Sequence, residues 1–169
     1  MGPDVLKMVT ESHRLGRVSR DLNSTFIALI PKMSKPSKFD DFRPISLCNL
    51  IYKIISKVID ERLKPFLASS ITGEQFGFLL GRQILDVVRI TQEGIHSIRT
   101  RKLSSVLLKI DLIKAYDRVD WVFLRLLLIH VGMESELVNW IVACVNCVHI
   151  SILINGLPTK LFLSQRGLR

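Results

Sequence analysis

Apolar residues recur along this chain in two rhythms, spacings of three and four and spacings of two, and each change of rhythm marks an element boundary. Val5, Leu6, Met8 and Val9 predict a short helix over residues 4–15. STFIALIPK, β-branched and aromatic, predicts a strand closed by Pro31. KMSKPSKFDDF reads as a loop. From Ile45 the pattern becomes helical, with Leu50, Ile51, Ile54, Ile55, Val58, Ile59 and Leu63 in one stripe and Pro65 near its end. After the Gly-punctuated loop SSITGEQFGFLLGR, a helix runs through Ile84, Val87, Val88, Thr91, Ile95 and Ile98.

SSVLLKID, residues 104–111, is expected to be the next strand. Val106, Leu108 and Ile110 share one face, and Leu107, Lys109 and Asp111 the other, so Asp111 falls at the strand exit. Asp120 is placed to cap a helix through Ile129, with Gly132 to end it, and Ser135 to cap another reaching about Cys147. VHISILIN and LPTKLFLS flank Asn155-Gly156, a type I′ hairpin signal. Strands alternating with helices and a terminal hairpin give an α/β or α+β class in one domain or part of one.

Composition supports a folded chain: 48% of the 169 residues are hydrophobic and 23% charged. No apolar run reaches the ~18 residues of a membrane span. No apolar signal segment follows the N-terminus, and Leu6 occupies the position where a myristoylation pattern needs Ser or Thr. The chain is thus expected to be intracellular. Three cysteines give no disulfide framework. Cys144 and Cys147 form a CxxC inside an apolar run and are read as small hydrophobes; zinc would need two further ligands, for which Cys48 and His130 are candidates only by existence.

The net charge of +9 suits an anionic partner. Residues 1–103 hold 17 Lys and Arg against 10 Asp and Glu, the remainder 7 against 5, so the surplus lies in the first portion. A solvated basic face and a nucleic-acid surface both fit this charge. Asp111 has two readings of the same kind, a turn residue or a ligand for a hard cation.

Five strings separate these readings: NSTFIALIPK, DFRPISLCNLIYKIISKVIDERLKPFL, EQFGFLLGRQILD, LLKIDLIKAYDRVDW and SQRGLR, in that order from Asn23 to Arg169. Together they resemble the reverse transcriptase domain of non-LTR (LINE-type) retrotransposons, most of all the plant members. The resemblance implies an α+β right-hand polymerase fragment, with helices packed on an incomplete antiparallel palm sheet. Residues of about 1–103 would be fingers and about 104–169 the first part of the palm. It implies RNA-directed DNA synthesis with an RNA template, a DNA primer, dNTPs and two Mg²⁺ ions, in the nucleus for target-primed insertion.

Carried over position by position, Asp111 matches the first metal-binding aspartate, assisted by the backbone carbonyl of Leu112. Tyr116 matches the aromatic gate against a 2′-hydroxyl, with Lys114 and Ala115 lining the phosphates by their backbone. Asp117 is expected to support the turn. Arg43 matches a triphosphate-binding arginine, Lys32 its basic partner, and Gly81 and Arg82 a template-side motif. In the family, SQRGLR continues into Gln-Gly-Cys-Pro-Leu-Ser, and a later Asp-Asp strand supplies the remaining carboxylates. The expectation is therefore that these 169 residues alone are inactive. A basic nucleic-acid-binding remnant without catalysis is the alternative, and a maturase-like intron enzyme fits the DFRPISLCN string less well.

Overall fold

The computed structural model describes residues 2–77, 79, 81–146 and 148–168. Cys147, half of the CxxC pair, and Arg169 lie outside them. The chain packs as two units, Met1–Ile59 with Lys114–Arg169, and Asp60–Ile113.

In the first unit, β1 (Ser24–Pro31) lies at the heart of the sheet. It pairs antiparallel with β2 (Phe42–Cys48) and parallel with β3 (His149–Ile154), which carries the short strands β4 (Leu157–Pro158) and β5 (Phe162–Leu163) on its other edge. The α+β class stands, but the sheet is mixed rather than antiparallel. The Asn155-Gly156 turn is as expected, with φ of 51° and 82°, the left-handed pair that a type I′ turn requires. Its second arm is broken because Thr159 Oγ1 accepts from the Ile152 amide at 3.0 Å, taking the place of a ladder carbonyl.

The core is built on α5 (Ser135–Asn146), whose Val138 and Trp140 are wholly buried with Ile55 of α2 (Leu50–Ser70) and Val148. The Tyr52 hydroxyl donates to the Cys144 carbonyl at 3.1 Å, tying α2 to α5. From α1 (Gly2–Leu15), Ser12 Oγ accepts the Trp140 indole N–H at 2.9 Å and donates to the Arg17 carbonyl at 2.9 Å. Asp120 caps α4 (Trp121–His130) as expected, accepting from the amides of Val122 and Phe123 at 2.8 and 2.9 Å. Gly132, at φ 91°, follows that helix.

Three boundaries differ from the sequence reading. Ile45–Cys48 belong to β2, because pairing with Thr25–Ala28 outweighs the local helical rhythm, and Asn49 starts α2 by accepting from the Ile51 amide at 2.9 Å. Helix α2 passes through Pro65 to Ser70; the proline removes one backbone bond on an exposed turn, where Lys64 pairs with Asp60 and Glu61 at 2.9 Å. Ser135 is the first helical residue of α5 rather than its cap.

The largest correction concerns residues 104–111, which form no strand and are exposed throughout. An extended apolar run becomes a strand only when a neighbour takes up its backbone groups, and no described segment does so here. In the second unit, α3 (Ile84–Thr100) runs as expected.

Candidate active site

Strand β1 ends at Pro31 and delivers Lys32 to the loop between β1 and β2. That loop is folded by Asp41, whose carboxylate accepts from the amides of Ser37 and Lys38, both at 2.9 Å. These bonds stabilise the carboxylate and hold its pKa below the usual carboxylate range. The Lys32 amide donates to the Asp41 carbonyl at 2.7 Å, and Lys32 Nζ to the Asp40 carbonyl at 2.6 Å.

Lys114 reaches the same turn from a point 74 residues further along the chain, placing Nζ 2.8 Å from Asp40 Oδ1. Its own φ is 51°, left-handed and uncommon for a side chain with a Cβ. From there the chain coils into a 3-10 turn over Tyr116–Arg118, with the Asp117 amide on the Lys114 carbonyl at 3.1 Å and the Arg118 amide on the Ala115 carbonyl at 3.2 Å. Tyr116, the first residue of that turn, is 61% exposed.

The structure thus brings Lys32 and Lys114 to one acidic residue, Asp40, with Ala115 and Tyr116 next in the chain. The hydrogen bond from Lys114, then its charge, holds Asp40 below the usual carboxylate range and Lys114 above the usual lysine range. The pair therefore favours the fold above the ordinary Asp titration, loses that support as acid protonates Asp40 through its lowered value, and loses it in alkali as Lys114 deprotonates through its raised value. Both groups are exposed, so the gain in stability is small. A carboxyl NMR titration should show Asp40 returning to the ordinary range in Lys114→Met; an unmoved titration would mean that the pair does not form in solution.

Arg43 lies on β2 opposite Ile30. By strand alternation it shares a sheet face with Ile45 and Leu47, both of them exposed. Pro44 and Ser46 face the other way, into a cleft of about 230 Å³ that Asp117, Val148 and Gly167 also line.

The remaining candidates belong to the second unit. Asp111 is exposed, as is Leu112, in the segment without regular structure. Gly81 has φ 76°. The Arg82 guanidinium donates to the carbonyls of Thr72, Gln75 (2.6 Å) and Ile71 (3.2 Å), so its fork gathers the loop after α2 and is committed to main chain.

Magnesium takes oxygen ligands from several groups, and a two-ion site needs more than one carboxylate. Among the described residues no three His, Cys, Asp or Glu side chains gather as a metal site. These residues do not by themselves fit a two-ion centre, to which Asp111 would bring one carboxylate.

Sequence reasoning missed Asp40, which reads as one acid of a polar loop, and the contacts of Trp121 and Gly167 with the Tyr116 turn. The DD of KFDDF, between a lysine-rich loop and an arginine, was the available signal for Asp40. For the other two, only their occurrence in the family-like strings pointed to them.

Comparison with known proteins matches residues 30–169 to a family described as reverse transcriptase (RNA-dependent DNA polymerase). Over 124 residues, 73% of this chain, it is 35% identical to the transposon TX1 uncharacterized 149 kDa protein of Xenopus laevis. The aligned stretch is 10% of that relative's length. No helix among the described residues is long and apolar enough to cross a membrane.

Proposed function

Since the chain belongs to the reverse transcriptase (RNA-dependent DNA polymerase) family, of the non-LTR retrotransposon type, we propose that residues 1–169 receive the incoming nucleotide during RNA-templated DNA synthesis. In this reading about 1–103 serve as fingers and about 104–169 as the first part of the palm. RNA template, DNA primer and dNTP are the partners, and the nucleus is the place of action.

The observation that carries the proposal is the convergence of Lys32 and Lys114 on Asp40, with Tyr116 two residues after Lys114 in the chain. Two lysines brought to an acidic residue from distant parts of the chain make a cluster of cationic donors for anionic oxygens, and a triphosphate offers more of them than a carboxylate does. Arg43 adds a planar donor for the phosphates. Tyr116, exposed next to this cluster, stacks beneath the sugar and excludes a 2′-hydroxyl, the group that distinguishes ribonucleotides.

Asp111, assisted by the Leu112 carbonyl, contributes one carboxylate to a divalent-ion centre that needs further carboxylates. One carboxylate and one carbonyl do not hold two ions, so residues 1–169 tested by themselves are expected to show no DNA synthesis.

The test is a chimera in which residues 1–169 replace the matching segment of an active non-LTR reverse transcriptase. Tyr116→Ala should raise the ratio of ribonucleotide to deoxynucleotide incorporation by ~10-fold or more, the scale on which a pocket rejects one extra group, while DNA synthesis survives. An unchanged ratio would make Tyr116 a packing residue.

A further inference from the structure

Tyr116 is 61% exposed, so the place from which its side chain projects rests on its backbone more than on packing around the ring. That backbone is gripped by residues 166–168. The Leu168 amide donates to the Tyr116 carbonyl at 2.8 Å and the Gly167 amide to the Val119 carbonyl at 2.9 Å, one bond at each end of the turn. The Gly167 carbonyl in turn accepts the Trp121 indole N–H at 2.8 Å. Upstream, the Ser164 amide donates to the Val148 carbonyl at 3.0 Å, and the Ser164 hydroxyl to the Arg166 carbonyl at 2.8 Å. The strap is thus anchored to the sheet on one side and to the start of α4 on the other.

Glycine is strongly favoured at Gly167, the centre of this strap. Its φ is +90°, which side-chain-bearing residues rarely adopt, and a Cβ there would stand 3.0 Å from the Asp117 carbonyl oxygen, 3.1 Å from its Cα and 3.2 Å from its carbonyl carbon. All three are main-chain atoms, so no flexible side chain can swing away and the turn itself must move.

From this geometry we propose that Gly167, with the Trp121 indole, is a positioning residue that sets the angle of the Tyr116 gate and so the choice between deoxy- and ribonucleotides. The proposal rests on the reading of Tyr116 as the sugar gate. It adds that discrimination is controlled from a strap that need not touch the nucleotide. A small rotation of the turn carries the ring with it, because the two bonds at 116 and 119 leave the turn no independent freedom. Displacements of about 1 Å in such a positioning shell are enough to change rates by up to ~100-fold.

The experiment uses the same chimera and reads the ribonucleotide-to-deoxynucleotide ratio with separate kcat and KM for each nucleotide. Gly167→Ala should raise the ratio ~10-fold, mainly by improving kcat/KM for the ribonucleotide. Trp121→Phe, which keeps an aromatic ring but removes the N–H, should shift it in the same direction by less. In a Tyr116→Ala background neither change should add to the ratio, since the element they position is gone. If Tyr116→Ala raises the ratio while folded Gly167→Ala leaves it unchanged, the positioning role is wrong and the gate reading stands. If Tyr116→Ala itself has no effect, the gate reading fails and takes this proposal with it. Should Gly167→Ala not fold, Trp121→Phe decides, and an unchanged ratio in that variant overturns the proposal. A ratio that rises equally in the Tyr116→Ala background would also overturn it, because the strap would then act by another route.

Discussion

Asp111→Asn should abolish DNA synthesis by the chimera, with a fall of at least ~1,000-fold, about 4 kcal/mol of transition-state stabilisation. The amide keeps the size and shape of the side chain and removes its negative charge, and charge is what a hard divalent cation requires of a carboxylate ligand. The structure separates this effect from a folding defect. Asp111 is exposed, in a segment without regular structure, and the residues beside it are open to solvent. The substitution should therefore leave the melting transition of residues 1–169 within ~0.5 kcal/mol of the parent. Primer extension and thermal unfolding on the same preparations provide the check. Extension above a tenth of the parent rate would return Asp111 to the rank of a turn residue.

Trp140→Ala is expected to have the largest effect on stability, about 3–5 kcal/mol, the range for truncating a large buried aromatic. Trp140 is 0% exposed at the centre of α5. It stacks edge-on against His13 at 4.8 Å between ring centroids, and its N–H binds Ser12 at 2.9 Å. Its loss would open a cavity where α1 meets α5 and leave the Ser12 hydroxyl short of a donor. Since whole domains are stable by only ~5–15 kcal/mol, most of the margin would go. Trp140→Phe fills much of the space and removes the N–H, so it should cost less, ~1–3 kcal/mol. Chemical unfolding of the three proteins measures both steps. Equal midpoints for Ala and parent would show that the α1–α5 contact does not form in solution.

Much of the helical content was legible locally because its signals are local. The stripe from Leu50 to Leu63, the cap at Asp120 with Gly132 beyond His130, and the Asn155-Gly156 turn all act within a few residues of themselves. Where a distant partner competed, the local reading failed. Ile45–Cys48 carry apolar residues that a helix could use, and they became strand because β1 offers a ladder. SSVLLKID has strand composition and stayed unpaired because no described segment offers one.

The candidate site divides along the same line. Its residue types, and the family they belong to, are carried by strings of sequence: LIPK, DFRPISL and KAYDRVDW name Lys32, Arg43, Lys114 and Tyr116 without coordinates. Arg82 was named the same way, and that its guanidinium donates to three main-chain carbonyls is legible only in the structure, because hydrogen-bond geometry rather than residue identity decides where a fork points.

What the sequence by itself determined is the chemical alphabet of this protein, its family and the elements whose causes lie within one turn or one hairpin. Tertiary structure alone decided that β3 lies parallel to β1, that Lys114 meets an aspartate 74 residues away, and that the main chain of Asp117 crowds the place where a side chain at Gly167 would begin. The physical reason is common to all three. Each depends on the close approach of groups far apart in sequence, and neither propensity nor spacing encodes an approach until the core around Trp140 and Ile55 has brought those segments together.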